Sequence, residues 1–136
     1  MPRYVRRVTI VKIEKPSKLT INEEIQWFSN SLGLFGERDK EKSKFRIFLE
    51  LLKSAKLKKG LSTEQLAEKT SLTRATVIHH LNFLVDQGLV IFKEGRYYLR
   101  VQNLENLVSI LHNEVGDMFD ELSRIAEQID KELGLK

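Results

Sequence analysis

Residues 72–90 read LTRATVIHHLNFLVDQGLV and contain the clearest helical pattern in this 136-residue chain. Thr73 is suited to begin a helix, because its side-chain oxygen can accept one of the unpaired N–H groups of the first turn. The helix should run to about Gln87, since Gly88 is the residue type favoured just past a helix end. Apolar residues spaced at i, i+4 and i+7 predict its buried face, namely Val77, Leu81 and Leu84.

A shorter helix is predicted directly before it, over residues 61–70 (LSTEQLAEKT). Ser62 or Thr63 can cap this helix, and residues 71–73 form the turn into the longer one. Two helices joined by so short a turn predict a helix-turn-helix motif.

The exposed face of the longer helix carries side chains that match the edges of DNA bases. An arginine can pair with guanine and an asparagine with adenine, and small apolar side chains can contact the thymine methyl group. Threonine hydroxyls and free N–H groups at the helix start can hold phosphates. The residues predicted to contact DNA from this helix are Thr73, Arg74, Ala75, Thr76, Ile78, His79 and Asn82.

Two short strands are predicted next, over residues 89–93 and 96–100, joined by a tight turn at Glu94 and Gly95. Lys93 and Arg96 flank the tip of this hairpin and are predicted to reach backbone phosphates or a minor groove. The expected fold is therefore mainly α with a small β-hairpin wing, which is a winged helix-turn-helix domain followed by a long C-terminal dimerisation helix.

The same run resembles the recognition-helix segment of ArsR-like and MarR-like winged-helix regulators, whose pattern is T-V-x-H-H-L-x-x-L-x-x-x-G-L-V. The matching residues are Thr76, Val77, His79, His80, Leu81, Leu84, Gly88, Leu89 and Val90. The resemblance covers roughly residues 45–100, and it implies that the exposed face of the helix contacts double-stranded DNA.

The resemblance does not imply metal sensing. Many metal-sensing ArsR regulators use cysteine pairs, and this chain contains no cysteine. His79 and His80 are adjacent, so on a helix they point about 100° apart, and His112 lies in another segment. We therefore expect neither a metal site nor a cofactor, and no disulfides, which fits a cytoplasmic location.

Residues 1–58, which precede the helix-turn-helix, are predicted to add a strand and two helices. Residues 3–13 (RYVRRVTIVKI) are rich in β-branched side chains and read as a strand. Thr20 and Glu23 match a capping box for a helix that stops at Gly33. A longer helix is predicted over residues 41–58, with an apolar stripe of Phe45, Phe48, Leu49, Leu52 and Ala55, widened by Ile47, Leu51 and Leu57. Three lysines, Lys56, Lys58 and Lys59, lie near the end of this helix. They could stabilise the helix C-terminus or contact a DNA backbone, and the sequence favours neither role.

The tail, residues 101–133, reads as one long helix with a heptad repeat, in which Gly116 is the expected place for a kink or for a break into two helices. Valine at several a positions favours a two-stranded coiled coil. The residues predicted to form a homodimer are Leu104, Val108, Leu111, Val115, Met118, Leu122, Ile125 and Ile129. A helix folded back on its own core is the alternative, and the direction of pairing stays open. A winged helix followed by a coiled coil is similar to TrmB-like and PadR-like regulators.

The balance of basic and acidic side chains also separates the tail from the residues before it. Residues 53–100 contain nine basic and four acidic side chains, a balance of +5, whereas residues 101–136 contain three and eight, a balance of −5. A basic body indicates a polyanionic partner, although an ordinary solvated surface would look similar. The predicted segments are an N-terminal extension (1–40), the DNA-binding domain (41–100) and the dimerisation helix (101–136).

We expect no enzyme, because no phosphate-binding loop or catalytic motif is present. No apolar run is long enough to span a membrane, and the N-terminus does not match a signal peptide. The favoured function is a sequence-specific, DNA-binding regulator of transcription that acts as a homodimer. The alternatives are a winged-helix protein-interaction module in a larger assembly and a low-specificity, chromatin-like DNA-binding protein. The operator, the sign of regulation and any small-molecule effector stay open.

Overall fold

A computed structural model describes residues 7–15, 17–35 and 42–136 of the chain. Five helices and one antiparallel hairpin are present in this part, and the hairpin lies between the fourth and fifth helices. The elements in chain order are α1 (Ile21–Ser31), α2 (Ser43–Ala55), α3 (Thr63–Thr70), α4 (Arg74–Asp86), β1 (Val90–Lys93), β2 (Arg96–Leu99) and α5 (Leu104–Leu133). The predicted fold class, mainly α with a hairpin wing, is confirmed.

The N-terminal segment contains the predicted helix but not the predicted strand. The Thr20 hydroxyl accepts the Glu23 N–H, and the Glu23 carboxylate accepts the Thr20 N–H, so the capping box begins α1 as expected. Residues 7–13 form no strand, while residues 3–6 lie outside the described residues. Val11 donates a hydrogen bond to the Ser31 carbonyl at the end of α1 (2.8 Å) instead of pairing with a sheet edge. β-Branched composition alone does not supply the partner strand that a sheet needs.

Helix α2 is shorter than predicted, because residues 56–58 already form a turn in which Lys58 takes a left-handed conformation (φ 55°). Leu57 therefore leaves the predicted apolar stripe and is 68% exposed. The buried side chains of α2 include Phe45, Ile47, Phe48 and Leu51, whereas Leu49 and Leu52 are only partly buried.

One hydrophobic core joins parts of all three predicted segments. Its members come from the α1 end (Leu32, Leu34), α2 (Ile47, Phe48, Leu51), the strand-like residue Leu61, α3 (Leu66), α4 (Val77, Leu81, Leu84), the wing (Leu89, Val90, Leu99) and α5 (Leu107, Leu111). Each fully buried side chain of this size contributes about 1.5–3 kcal/mol relative to exposure. The three-part division stays a prediction, and the core crosses both of its boundaries.

Helix α5 is a single helix of 30 residues that continues through Gly116, so the break into two helices considered at this residue does not occur. It begins after Asn103, whose side chain accepts the Asn106 N–H (2.8 Å). Leu111, predicted at the dimer interface, is instead 4% exposed in the domain's own core, and Leu104 is partly buried against the same core. Arg100 also ties α5 to the domain through a two-contact ion pair with Glu114 (2.6 and 3.3 Å).

Beyond the core contacts, the rest of α5 is not covered by the described parts of the chain. Every residue from 117 to 129 is exposed. We call residues 117–133 the distal segment.

None of the five helices within residues 7–15, 17–35 and 42–136 has the length and apolar character of a membrane-spanning helix.

Candidate nucleic-acid interface

Side-chain caps fix the start of both helices of the helix-turn-helix, and a left-handed residue forms the turn between them. Ser62 caps α3 by accepting the Gln65 N–H (3.1 Å), and Thr73 caps α4 by accepting the Thr76 N–H (3.2 Å). Between the helices, Ser71 takes a left-handed conformation (φ 58°), which turns the chain sharply. The predicted inner face of α4 is fully buried, so its opposite face must point outward.

The outward face of α4 presents the side chains that the sequence predicted. Five of them are exposed, namely Arg74, Ala75, Ile78, His79 and Asn82. Thr73 is also exposed, whereas Thr76 is partly buried, and the two hydroxyls are hydrogen-bonded to each other (2.9 Å). This surface combines a cation, an amide, an imidazole and small apolar groups within the first three turns of one helix.

Arg74 contacts a carboxylate on the neighbouring helix α3. Its Nε atom lies 3.3 Å from Oε1 of Glu64 in α3, and the two side chains are 69% and 66% exposed. Such an exposed pair is worth about 0–1 kcal/mol, so Arg74 can leave it at little cost to bind another group. The contact joins two different helices, and neither helix pattern predicts it.

Arg96 is directed differently from the prediction. Its Nη1 atom donates hydrogen bonds to the Gly60 carbonyl (3.1 Å) and to Oε1 of Gln65 (3.0 Å). The guanidinium therefore lies beside the N-terminus of α3 and not at the tip of the wing. Lys93, its partner across the hairpin, is exposed.

The wing is a tight hairpin attached firmly to the start of the helix-turn-helix. Glu94 and Gly95 both have positive φ (51° and 79°), as the predicted two-residue turn requires. Leu61 and Tyr97 exchange two backbone hydrogen bonds (3.0 and 2.8 Å), which add a third short strand-like edge. Each wing strand has four residues, one fewer than predicted.

Two further lysines lie next to the wing. Lys58 and Lys59, in the turn after α2, line a cleft of about 360 Å³ together with Lys93 of β1. From the sequence, these lysines could either stabilise the C-terminus of α2 or contact a DNA backbone. Their place beside Lys93 gathers three cations on one side of the wing.

The histidines of α4 have different surroundings. The ring centroids of His79 and His80 are 5.4 Å apart, and His79 is exposed while His80 is partly buried. No group of three or more His, Cys, Asp or Glu residues that could hold a metal ion occurs within residues 7–15, 17–35 and 42–136.

These elements define a winged helix-turn-helix domain. Residues 49–91, from the middle of α2 to the first wing strand, match the family model described as bacterial regulatory protein, arsR family. Residues 49–91 are thus similar to the helix-turn-helix of ArsR-family regulators, and this similarity supports a DNA-binding regulator. Comparisons with curated proteins and with solved structures found no match.

Proposed function

We propose that the chain is a sequence-specific, double-stranded DNA-binding regulator of transcription that acts as a homodimer. The observation that carries this proposal is the outward face of α4, where Arg74, Ile78 and Asn82 lie exposed at successive turns of the helix. In a winged helix, such a helix enters the major groove and its first turns reach the base edges. A surface made only for protein contact would not need this combination of guanine-, adenine- and methyl-matching groups.

The proposed contacts fall into two classes. Arg74, Ala75, Ile78, His79 and Asn82 read bases, and a good bidentate pair contributes about 1–3 kcal/mol of discrimination against the wrong base. The second class binds phosphates and positions the protein without reading sequence, and it comprises Thr73, Thr76, Lys93 and Arg96. For Arg96 the contact is proposed at the N-terminus of α3, where Gln65 orients the guanidinium.

The homodimer is supported by the apolar surface of α5. The large apolar side chains from Val108 to Leu133 form one stripe, which we call the tail stripe: Val108, Val115, Met118, Phe119, Leu122, Ile125, Ile129 and Leu133. All of them except the partly buried Val115 are exposed. Seven of these side chains are 41–69% exposed. A long apolar stripe left exposed on one helix of a soluble protein marks an interaction surface.

A salt titration of DNA binding tests the proposal against its alternatives. The chain is titrated with random duplexes and with duplexes selected from genomic DNA, from low to physiological salt. We expect the selected duplexes to bind at least about 10³-fold more tightly at physiological salt. Absence of binding even at low salt would contradict the proposal and favour a protein-interaction module. Equal affinity for all duplexes would favour a low-specificity, chromatin-like protein.

Paired substitutions test the two classes of contact. Arg74→Ala should lower the preference for the selected duplex by about 1–3 kcal/mol, with a smaller effect on random DNA. Lys93→Ala should weaken binding to all duplexes alike and reduce the slope of log K against log[salt] by about 1. If Arg74→Ala weakened all duplexes equally, the assignment of the base-reading face would be wrong.

Sedimentation equilibrium tests the homodimer. The parent chain should sediment as a dimer, and Leu122→Glu, which adds a charge to the middle of the tail stripe, should shift it to monomer. Ser123→Glu is the matched control, because it adds one carboxylate next to Leu122 at an exposed position outside the stripe. A monomeric parent at high micromolar concentration would contradict the homodimer.

A further inference from the structure

Arg74 is the first residue of α4 and the cation of the proposed base-reading face. We infer that Glu64 of α3 is a positioning residue for Arg74. Its carboxylate holds the guanidinium on the Nε side, and the two Nη atoms stay available for a guanine. This inference rests on the proposed function, and it adds the base that Arg74 reads and a second residue that determines specificity.

The atoms of the ion pair decide which side of the guanidinium is occupied. The planar group has five N–H donors, one on Nε and two on each Nη atom. The pair joins Nε of Arg74 to Oε1 of Glu64 at 3.3 Å. A carboxylate on the Nε side leaves the edge formed by the two Nη atoms for a second partner. O6 and N7 of guanine are two acceptors that match this edge, so binding a guanine does not require Arg74 to leave Glu64.

Local structure brings the two side chains together. Ser62 caps α3 and Thr73 caps α4, so Glu64 is the second residue of its helix and Arg74 the first residue of the next one. The left-handed Ser71 forms the turn between the helices. Both side chains are exposed, so the pair lies on the outer surface at the start of α4, where the proposed base-reading face begins.

The carboxylate has two opposite effects on DNA binding. An arginine side chain loses much rotamer freedom when it binds a base, and a contact that restricts Arg74 beforehand reduces this loss. The same negative charge repels phosphates and so weakens binding to any duplex. We therefore expect Glu64 to raise discrimination between bases and to lower the affinity for random DNA.

The next residue of α3 contacts the second arginine of the interface. Oε1 of Gln65 accepts the Ser62 N–H (2.9 Å) and also a hydrogen bond from Nη1 of Arg96 (3.0 Å). Two consecutive residues in the first turn of α3 thus contact one arginine of α4 and one arginine of the wing. The first turn of α3 lies between both proposed DNA-contacting elements, which supports a positioning role for it.

Base substitutions in a duplex selected from genomic DNA measure this role. The base pair read by Arg74 is the one whose preference Arg74→Ala reduces most, and we expect it to be G·C. Glu64→Ala should reduce the preference at this base pair about two- to fivefold, as expected for the loss of an exposed ion pair, and should bind random duplexes more tightly. Glu64→Gln removes the charge but keeps an acceptor oxygen. It should also bind random duplexes more tightly, with a smaller loss of preference.

Glu68→Ala is the matched control, because it removes a carboxylate one turn further along α3, at an exposed position that does not pair with Arg74. It should leave the preference at this base pair unchanged. Because Glu64 acts through Arg74, the double variant Arg74→Ala/Glu64→Ala should lose no more preference than Arg74→Ala alone. Stabilisation of the α3 N-terminus by Glu64 would change the free energy of unfolding but not the preference at a single base pair.

The possible failures are distinguishable. An unchanged preference with Glu64→Ala would overturn the inference while leaving base reading by Arg74 intact. A further loss of preference in the double variant would overturn it as well, since Glu64 would then act independently of Arg74. A preference for a base other than guanine would overturn the proposed use of the Nη edge. If no duplex is selected, or if Arg74→Ala changes no base preference, the proposed function fails and this inference fails with it.

Discussion

Replacing Leu111 with alanine tests whether the first part of α5 belongs to the core of the domain. Leu111 is 4% exposed and shares the core with Leu107 and with the inner face of α4. Leu→Ala substitutions at such sites cost about 2–5 kcal/mol, the sum of lost transfer free energy and of the cavity that remains. Since the site is almost fully enclosed, we expect a loss of about 3 kcal/mol in the free energy of unfolding. At about 2–4 °C per kcal/mol for a chain of this size, the Tm should fall by about 6–12 °C.

The assay is urea unfolding followed by circular dichroism, at protein concentrations above and below the dimer dissociation constant. The loss for Leu111→Ala should be the same at both concentrations, because the side chain packs within one copy. Leu122→Ala, at an exposed position of the tail stripe, should cost less than about 0.5 kcal/mol in the dissociated chain, and more once the dimer forms. A loss below about 1 kcal/mol for Leu111→Ala in the dissociated chain would refute the packing of α5 on the core.

Three further substitutions are checked by the same unfolding assay. Gly60→Ala would set a Cβ 2.6 Å from Cζ of Tyr98 and 2.8 Å from Cβ of Arg96, so the wing must shift. We expect the free energy of unfolding to fall by about 1–3 kcal/mol. An unchanged free energy of unfolding would contradict this close approach. Gly116→Ala places a methyl group in open space within a continuous helix and should add about 0.5–1 kcal/mol; a loss would mean that the helix is not regular there. Asn103→Ala removes the cap of α5 and should cost about 1 kcal/mol, whereas Asn103→Asp should retain most of that stability.

The helix-turn-helix and the wing were predictable because their signals are local. Thr73 and Gly88 mark the two ends of α4 within the sequence itself, and the spacing of apolar residues between them identifies the inner face. The Glu94-Gly95 pair likewise marks the hairpin turn without reference to distant residues. In each case the residues that define the element lie within a few positions of one another.

The errors concern partners that are distant in sequence. A heptad repeat predicts an apolar stripe, but it does not say whether the stripe packs on a second helix or on the chain's own core, and Leu111 lies on the core. The strand predicted over residues 3–13 had suitable composition, yet residues 7–13 have no strand partner. The direction of Arg96 depends on Gly60 and Gln65, which lie more than 30 residues earlier in the chain.

Recovery of bound fragments from sheared genomic DNA at physiological salt tests the central proposal most directly, namely that the outward face of α4 reads base sequence. We expect a pseudo-palindromic motif whose half-sites are centred about one helical turn apart, or a multiple of it. The Asn82→Ala chain should recover the same motif with a weaker preference at one position of each half-site. Unbiased recovery of fragments would contradict base reading by α4, and so would an unchanged motif from a chain in which Arg74, Ile78 and Asn82 are all replaced by alanine.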